Sequence, residues 1–537
     1  NPADDYLYAN NSAAEASYSN RKIEVLDDGF QFYGSDPAVN NSGDTYIYAA
    51  FADRPGNNWD VNNIVTNEGL TTSKTQFDVV TYTGNGGTQK IGGPVFSASA
   101  ASSITNPGNI FDGSTSTGGY SSSSGTDLTL TTSSFTISTQ LRVYNNFRSD
   151  GTYAICLNGT CVTVAGSGTD STQYRWSTVD LSGFTLPLTV TSLGYSASQA
   201  SGNTIRAVEV DSTILLDGTG PGLSFQPDLV WIKCRNTANT WHTLSDSVRG
   251  IGSDGAYVRL FSNRTNSEND DGYDVTALNA DGFTLANGDY ANASGRTYVA
   301  WCWKAGGTAV SNTDGSITSS VSANAAYGFS VVTWAGTSAN ATVGHGLNTA
   351  PELMILKRRD SSSTGMYVYH SAVSPTKTLY LYGTTAAETY AQAYNNTAPT
   401  NSVFSVGSAA ATNSGNMVAY CFANVPGYQR IGSYTGNGSS TGPVIVTGFK
   451  PRWILFKSTG TGAWVINDTQ RDTDSANAKG LKPNASDAET DIVTIDVLDN
   501  GFQLKGTAAN TSGQEYLYMA IGDDEIGSDE DCLVDVP

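Results

Sequence analysis

Four glutamates recur at matching places along the 537-residue chain: Glu15, Glu268, Glu388 and Glu489. Leu7, Leu260, Tyr380 and Leu481 each stand eight positions before one of them. A carboxylate repeated in this way could be a glycosidase acid, a calcium ligand or an acid that fixes a loop. Glycoside cleavage needs a second carboxylate at a defined distance, and no second acid keeps a constant offset from all four. The pattern therefore favours a structural acid. Lys233, Lys357 and Lys457 also repeat, each six residues after a proline that opens an apolar run: Pro227, Pro351 and Pro451.

The remaining chemistry is sparse. His242, His345 and His370 share no repeat position. No Gly-x-Ser-x-Gly elbow, phosphate loop or dinucleotide fingerprint is present, so the chain does not read as an enzyme. No cofactor is expected, with calcium the one cation the side chains could take. Glu268-Asn269-Asp270-Asp271 and Asp523-Asp524-Glu525 lack the glycine-punctuated spacing of a calcium loop. The turn at Asp112, beside Gly113, Ser114 and Thr115, is the candidate metal position. Aromatic faces stack on pyranose rings. The Tyr298, Trp301, Trp303 strand recurs as Tyr46/Tyr48 and Tyr516/Tyr518, as a shared core demands. The candidate glycan contacts are instead Tyr120, Tyr144 and Arg142.

These residues must be positioned by a repeated strand pair. Asp281-Gly282-Phe283, Asn292-Ala293-Ser294-Gly295 and Tyr298-Val299-Ala300-Trp301-Cys302-Trp303 read as strand, loop, strand. The unit returns at Asp28-Gly29-Phe30, at Asn500-Gly501-Phe502 and, in worn form, at Phe404-Ser405-Val406. Such self-similarity marks a repeat architecture. Alternating runs broken by Gly, Asn, Asp and Ser indicate an all-β protein of tandem antiparallel β-sandwich repeats, jelly-roll in style, with one inserted sandwich. The insert is read from a gap. Thr83 and Pro227 stand 144 positions apart, whereas Thr435 and Pro451, their counterparts, stand 16 apart.

The boundaries expected are 1–55, the second half of a repeat; 56–76, a linker; 77–92 with 219–307, a repeat; 93–218, the insert; 327–426 and 427–525, two further repeats. Residues 526–537 read as the start of another segment, and residue 1 as lying inside a domain. Within the insert, Asn158-Gly159 is a hairpin signal that sets Cys156 opposite Cys161, either as a disulfide or as two thiols.

Composition narrows the partners. The formal net charge is -21, from 28 Lys and Arg against 49 Asp and Glu. That balance disfavours nucleic acid and anionic membrane surfaces. No apolar stretch has the length of a spanning helix, so membrane insertion is not expected.

The repeat resembles the concanavalin A-like, lectin-type sandwich modules of tail fibre and other virion proteins of marine tailed phages, especially those infecting cyanobacteria. The residues that carry the resemblance are the Tyr-Thr-Gly-Asn-Gly openings at 82–86 and 434–438, Pro-Asp-Leu-Val-Trp-Ile-Lys at 227–233, Asp246-Ser247-Val248-Arg249-Gly250, the Asp-Gly-Phe turn at 281–283 and Tyr-Val-Ala-Trp-Cys-Trp-Lys at 298–304. Asp468 and Arg471 keep the spacing of Asp246 and Arg249; the third copy lacks it. The insert is more weakly similar to galactose-binding-like jelly rolls, through Phe111-Asp112-Gly113 and Ala207-Val208-Glu209-Val210-Asp211. The resemblance implies a structural virion component, a tail fibre or other appendage on the particle surface. Its implied partners are other virion proteins, further copies of itself as a homotrimer, and host surface polysaccharide. The alternatives are a secreted or cell-surface bacterial adhesin and a polysaccharide depolymerase.

Overall fold

The computed structural model defines residues 5–6, 16–17, 22–26, 29–33, 75–92, 96–100, 104–105, 119–121, 128–147, 152–165, 174–197, 203–210, 213–214, 223–269, 274–472 and 477–522. Among them the helical pieces are a 3-10 turn, Ala325–Tyr327, and a single α-turn, Ala391–Tyr394. The rest of the regular structure is antiparallel sheet, so the chain is an all-β protein of the sandwich type. It divides into two compact units, Asn1–Thr71 and Thr72–Pro537. In the first, Lys22–Leu26 pairs with Gly29–Tyr33 in a hairpin closing at Leu26 and Gly29.

Within the second unit, the strands between residues 96 and 214 pair only among themselves among the described residues. A five-stranded sheet runs Thr160–Ala165, Thr152–Leu157, Leu188–Ala197, Leu128–Ile137, Phe96–Ala100. The facing sheet runs Arg175–Thr178, Leu141–Asn145, Asn203–Val210, Gly119–Ser121, Ile104–Thr105. Period-two alternation turns Leu141, Val143, Tyr153, Ile155 and Leu157 into the space between them, where all are buried. Cys156 and Cys161 are register partners across the Asn158-Gly159 turn and form a disulfide.

The second, third and fourth copies share a four-strand order. In the second it is Phe77–Thr83, Thr297–Trp303, Leu229–Cys234, Thr243–Asp246. In the third it is Phe329–Thr337, Ser414–Phe422, Leu353–Arg358, Tyr367–His370. In the fourth it is Gln429–Thr435, Glu515–Gly522, Pro451–Ser458, Val465–Asp468. The central strands are apolar on both faces because both faces are covered. Tyr298, Ala300 and Cys302 fill the second copy's own sandwich. Val299, Trp301 and Trp303 point the other way, into a core shared by all three copies. Matching positions Val299, Val418 and Leu517 all enter it, as do Trp301, Tyr420 and Met519, and Trp303, Phe422 and Ile521. Rings from three copies meet there: Trp303 lies 5.7 Å from Trp453 and 6.1 Å from Phe422, centroid to centroid.

One glycine position is dictated by close approach. At Gly282, φ is 145°, and a Cβ would stand 2.0 Å from the Ile91 carbonyl oxygen; at Gly501, φ is 151° and the Ile445 oxygen is equally near. The repeated Asp/Asn-Gly-Phe turn is therefore fixed by a neighbouring strand passing over it. The third copy does without this glycine. There Val403–Val406 pairs only with Ala341–Gly344 among the described residues.

Candidate functional site

The repeated acids lie at the seams between copies. Glu268 of the second copy takes a bidentate pair from Arg359 of the third, at 2.8 and 2.9 Å, and its amide donates to the Arg359 carbonyl. Glu489 of the fourth copy takes the same pair from Arg235 of the second, at 3.0 and 2.9 Å, with its amide on the Arg235 carbonyl. Arg235 and Arg359 occupy the same place, eight residues after Pro227 and Pro351. The third seam, between the third and fourth copies, has Thr459 at that place. Its carbonyl accepts from the Ala387 amide, and Glu388 stays exposed, taking the Tyr380 hydroxyl.

A second layer lies beneath. Arg249 and Arg471, each with a fully buried side chain, pair with Asp246 and Asp468 at 2.5 Å. Tyr420 of the third copy donates to Asp246, and Trp301 of the second donates to Asp468. The third seam places His370 and Met519 at these positions. Burial pushes the His370 imidazole down to about 4, so this seam is neutral. The repeated lysines are equally internal. Lys233 donates to the Cys234 carbonyl and Thr240, Lys357 to the Thr265, Ser361 and Thr364 carbonyls, Lys457 to the Ser458 and Gly460 carbonyls. Each ties down the loop after its own strand. A further repeated residue, to which the sequence assigned no role, does the same elsewhere. The fully buried amides of Asn292, Asn413 and Asn510 bridge loop carbonyls such as Gly87, Ala339 and Ser439. These groups hold the fold.

A surface that faces outward with ligand-like chemistry is on the insert. Along Leu141–Asn145 the burial alternates, so Arg142 and Tyr144 point away from the core. Tyr144 is the register partner of Trp176, and Arg142 of Glu209. Tyr144 packs tilted against Trp176 at 5.2 Å and against Tyr174 at 6.0 Å. The Arg142 guanidinium sits 4.8 Å over Trp176 and pairs with Glu209 at 3.1 Å. A register shift between Tyr144 and Asn145 leaves Arg206 as the extra residue of a bulge, and its guanidinium lies 3.4 Å over Tyr174. Bulges re-aim side chains in this way. All six side chains are half-buried. The result is an aromatic platform edged by two cations and one carboxylate.

The structure thus brings Tyr144 and Arg142 together. Tyr120 is in register with Thr204 on the same sheet, its side chain outside the described residues. Asp112 and Glu15 also lie outside them. Among the described residues no group of three or more His, Cys, Asp or Glu is placed to hold a metal ion. Sequence reading missed Tyr174, Trp176, Arg206 and Glu209. The signal available was the alternation Tyr174-Arg175-Trp176, which puts two aromatics on one face of a short strand.

The family model described as a domain of unknown function, DUF7483, matches residues 1–55 and 212–524. No curated protein and no solved structure matches the chain. The matched segments leave out residues 56–211, which hold all of the aromatic–arginine platform.

Proposed function

The chain belongs to the DUF7483 family, a domain of unknown function, and we propose that it is a non-enzymatic structural component of a phage virion appendage whose insert contacts host-surface glycans. The observation that carries the reading is the platform of Tyr144, Tyr174 and Trp176 flanked by Arg142, Arg206 and Glu209. Aromatic faces offer apolar area to the C–H faces of a pyranose, and the charged edge offers donors and an acceptor to its hydroxyls. The seam-locked repeats serve as a rigid mount, because both faces of their central sheets are occupied by packing. The virion placement is supported by the lectin-module resemblance. Binding is favoured over cleavage because the platform's one carboxylate, Glu209, is ion-paired to Arg142, whereas hydrolysis uses two carboxyl groups about 5–9.5 Å apart.

The test is a glycan array and host-cell pull-down with the full chain and its Trp176→Ala variant. Binding to surface polysaccharide, weakened at least about tenfold in Trp176→Ala with an unchanged melting temperature, is the expected result. Equal binding by the two proteins would remove the platform from the account. Release of oligosaccharides from the bound polymer would replace adhesion by depolymerisation.

A further inference from the structure

The third copy differs from its neighbours in carrying two additional strands beside its first one. Val310–Asn312 pairs with Ser319–Asn324, which pairs with Phe329–Thr337. In the second and fourth copies the equivalent strands, Phe77–Thr83 and Gln429–Thr435, end their sheets among the described residues. The additional strands are not apolar on the side that continues the shared core. Ser311, Ser320 and Thr333 stand in one register row across three strands, and the next partner in the row is the buried Val418. The apolar core thus gives way to a stripe of hydroxyls at the rim of the sheet.

That stripe opens on a cleft of about 400 Å³. Ser311, Thr318, Ser320 and Thr333 line it, with Trp334, Arg359 and Asn416. Among the described residues, none of the four hydroxyls and neither end of the Asn416 amide has a hydrogen-bond partner. Their neighbours are satisfied: Ser319 donates to the Gly344 carbonyl, and Arg359 holds Glu268 through Nε and Nη2. Val and Thr pack a pleated surface well; Ser311 and Ser320 instead present exposed and half-buried hydroxyls at this rim.

We infer that this cleft is a second carbohydrate site, which takes a single neutral sugar unit; the inference extends the glycan-binding reading to a surface of the repeat core. Hydroxyls that can both donate and accept, with one amide, match an array of sugar hydroxyls, each of which also does both. The volume is within the range of small-molecule clefts. Neutrality of the ligand follows from Arg359, whose charge is already met by Glu268 at the seam. Its one aromatic lining residue, Trp334, is buried with its indole N–H on Asn413, so the affinity is weak and the contribution comes through multiplicity, the platform on the insert and the cleft on the core engaging one polymer.

The experiment is saturation-transfer NMR on the full chain with glucose, galactose and N-acetylglucosamine, each at millimolar concentration. It is run on the unmodified protein, on Trp176→Ala, and on Trp176→Ala combined with Ser320→Ala and Thr333→Val. Valine suits the strand, so the last variant should fold, and a melting curve checks that it does. At least one sugar should keep its signal in Trp176→Ala and lose about tenfold or more in the combined variant. Absence of any signal in Trp176→Ala, or equal signals in the two variants, overturns the cleft. If the unmodified protein binds and Trp176→Ala does not, the platform stands and the cleft falls. If Trp176→Ala binds as well as the unmodified protein and the combined variant does not, the cleft stands and the platform falls.

Discussion

Glu489 closes the arrangement of three copies by joining the fourth to the second across 254 positions of sequence, and its removal should loosen that seam selectively. In Glu489→Ala, Arg235 loses both of its carboxylate bonds. Arg471, whose side chain is fully buried, keeps Asp468 but loses the 2.8 Å contact to Glu489. Removing one partner of a buried pair costs about 3–5 kcal/mol. The lower end applies here because Arg471 retains its second carboxylate, giving about 3 kcal/mol. Arg235→Ala should cost less, about 1–2 kcal/mol, since the Arg235 side chain is 23% exposed and solvent screens it. The double variant should fall short of the sum by about 1–2 kcal/mol, the coupling expected of residues in direct contact. Glu388→Ala is the internal control. It removes the same repeat position at the seam without an arginine and should cost under about 0.5 kcal/mol. Urea unfolding gives the stabilities. Hydrogen exchange at the Glu489 amide, which donates to the Arg235 carbonyl, reports whether the seam opens first. If Glu489→Ala costs no more than Glu388→Ala, or if the Arg235 and Glu489 losses simply add, the seam is not held by this pair.

Three further outcomes follow from the same geometry. Thr459→Arg restores at the third seam the arginine of the other two; because Glu388 is exposed, the gain should be only about 0.5–1 kcal/mol, and it should vanish in Glu388→Ala. Gly282→Ala forces a side chain against the Ile91 carbonyl at φ 145° and should lower stability by about 2–3 kcal/mol, whereas Gly295→Ala, with open space around it, should cost about 1–2 kcal/mol from its φ alone; equal losses in urea would remove the close-approach argument. Burial pushes Lys233, Lys357 and Lys457 each down to about 8, while in the unfolded chain they hold their protons to about 10.4. Between those values the unfolded state binds more protons, so stability should rise from pH 8 towards pH 10, by at most about 1.4 kcal/mol per pH unit for each lysine. Urea midpoints at pH 7.5 and 9.5 check the sign, and a flat or falling trend refutes it.

Much of the repeat was legible because each copy solves the same local problem with the same residues. The Asp/Asn-Gly-Phe turn is visible in sequence, and its cause, a strand carbonyl 2.0 Å from where a Cβ would be, is visible only in space. Glu268, Glu388 and Glu489 could be aligned by spacing and assigned a structural part. That two of them bind arginines belonging to another copy could not be read, since spacing within a copy carries no information about which copy lies beside it. The platform was half legible. Arg142 and Tyr144 share a strand face and Tyr174 and Trp176 alternate onto one face of theirs, but the strand pairing and the bulge at Arg206 that bring them together leave no periodic trace.

The sequence alone determined the all-β character and the recurrence of one strand pair, because turn residues and alternation act over a few neighbouring positions. It also placed Trp301 and Trp303 in a core, since large apolar residues return at the matching positions, Tyr420 and Phe422 in one copy and Met519 and Ile521 in another. The tertiary structure decided that this interior is a common one, built from one face of each of three sheets. It decided too that the seams are ionic at Glu268 and Glu489 but neutral at His370. Those choices depend on contacts between residues 91 to 254 positions apart, where apolar burial supplies the drive to associate and the few charge pairs set which faces meet.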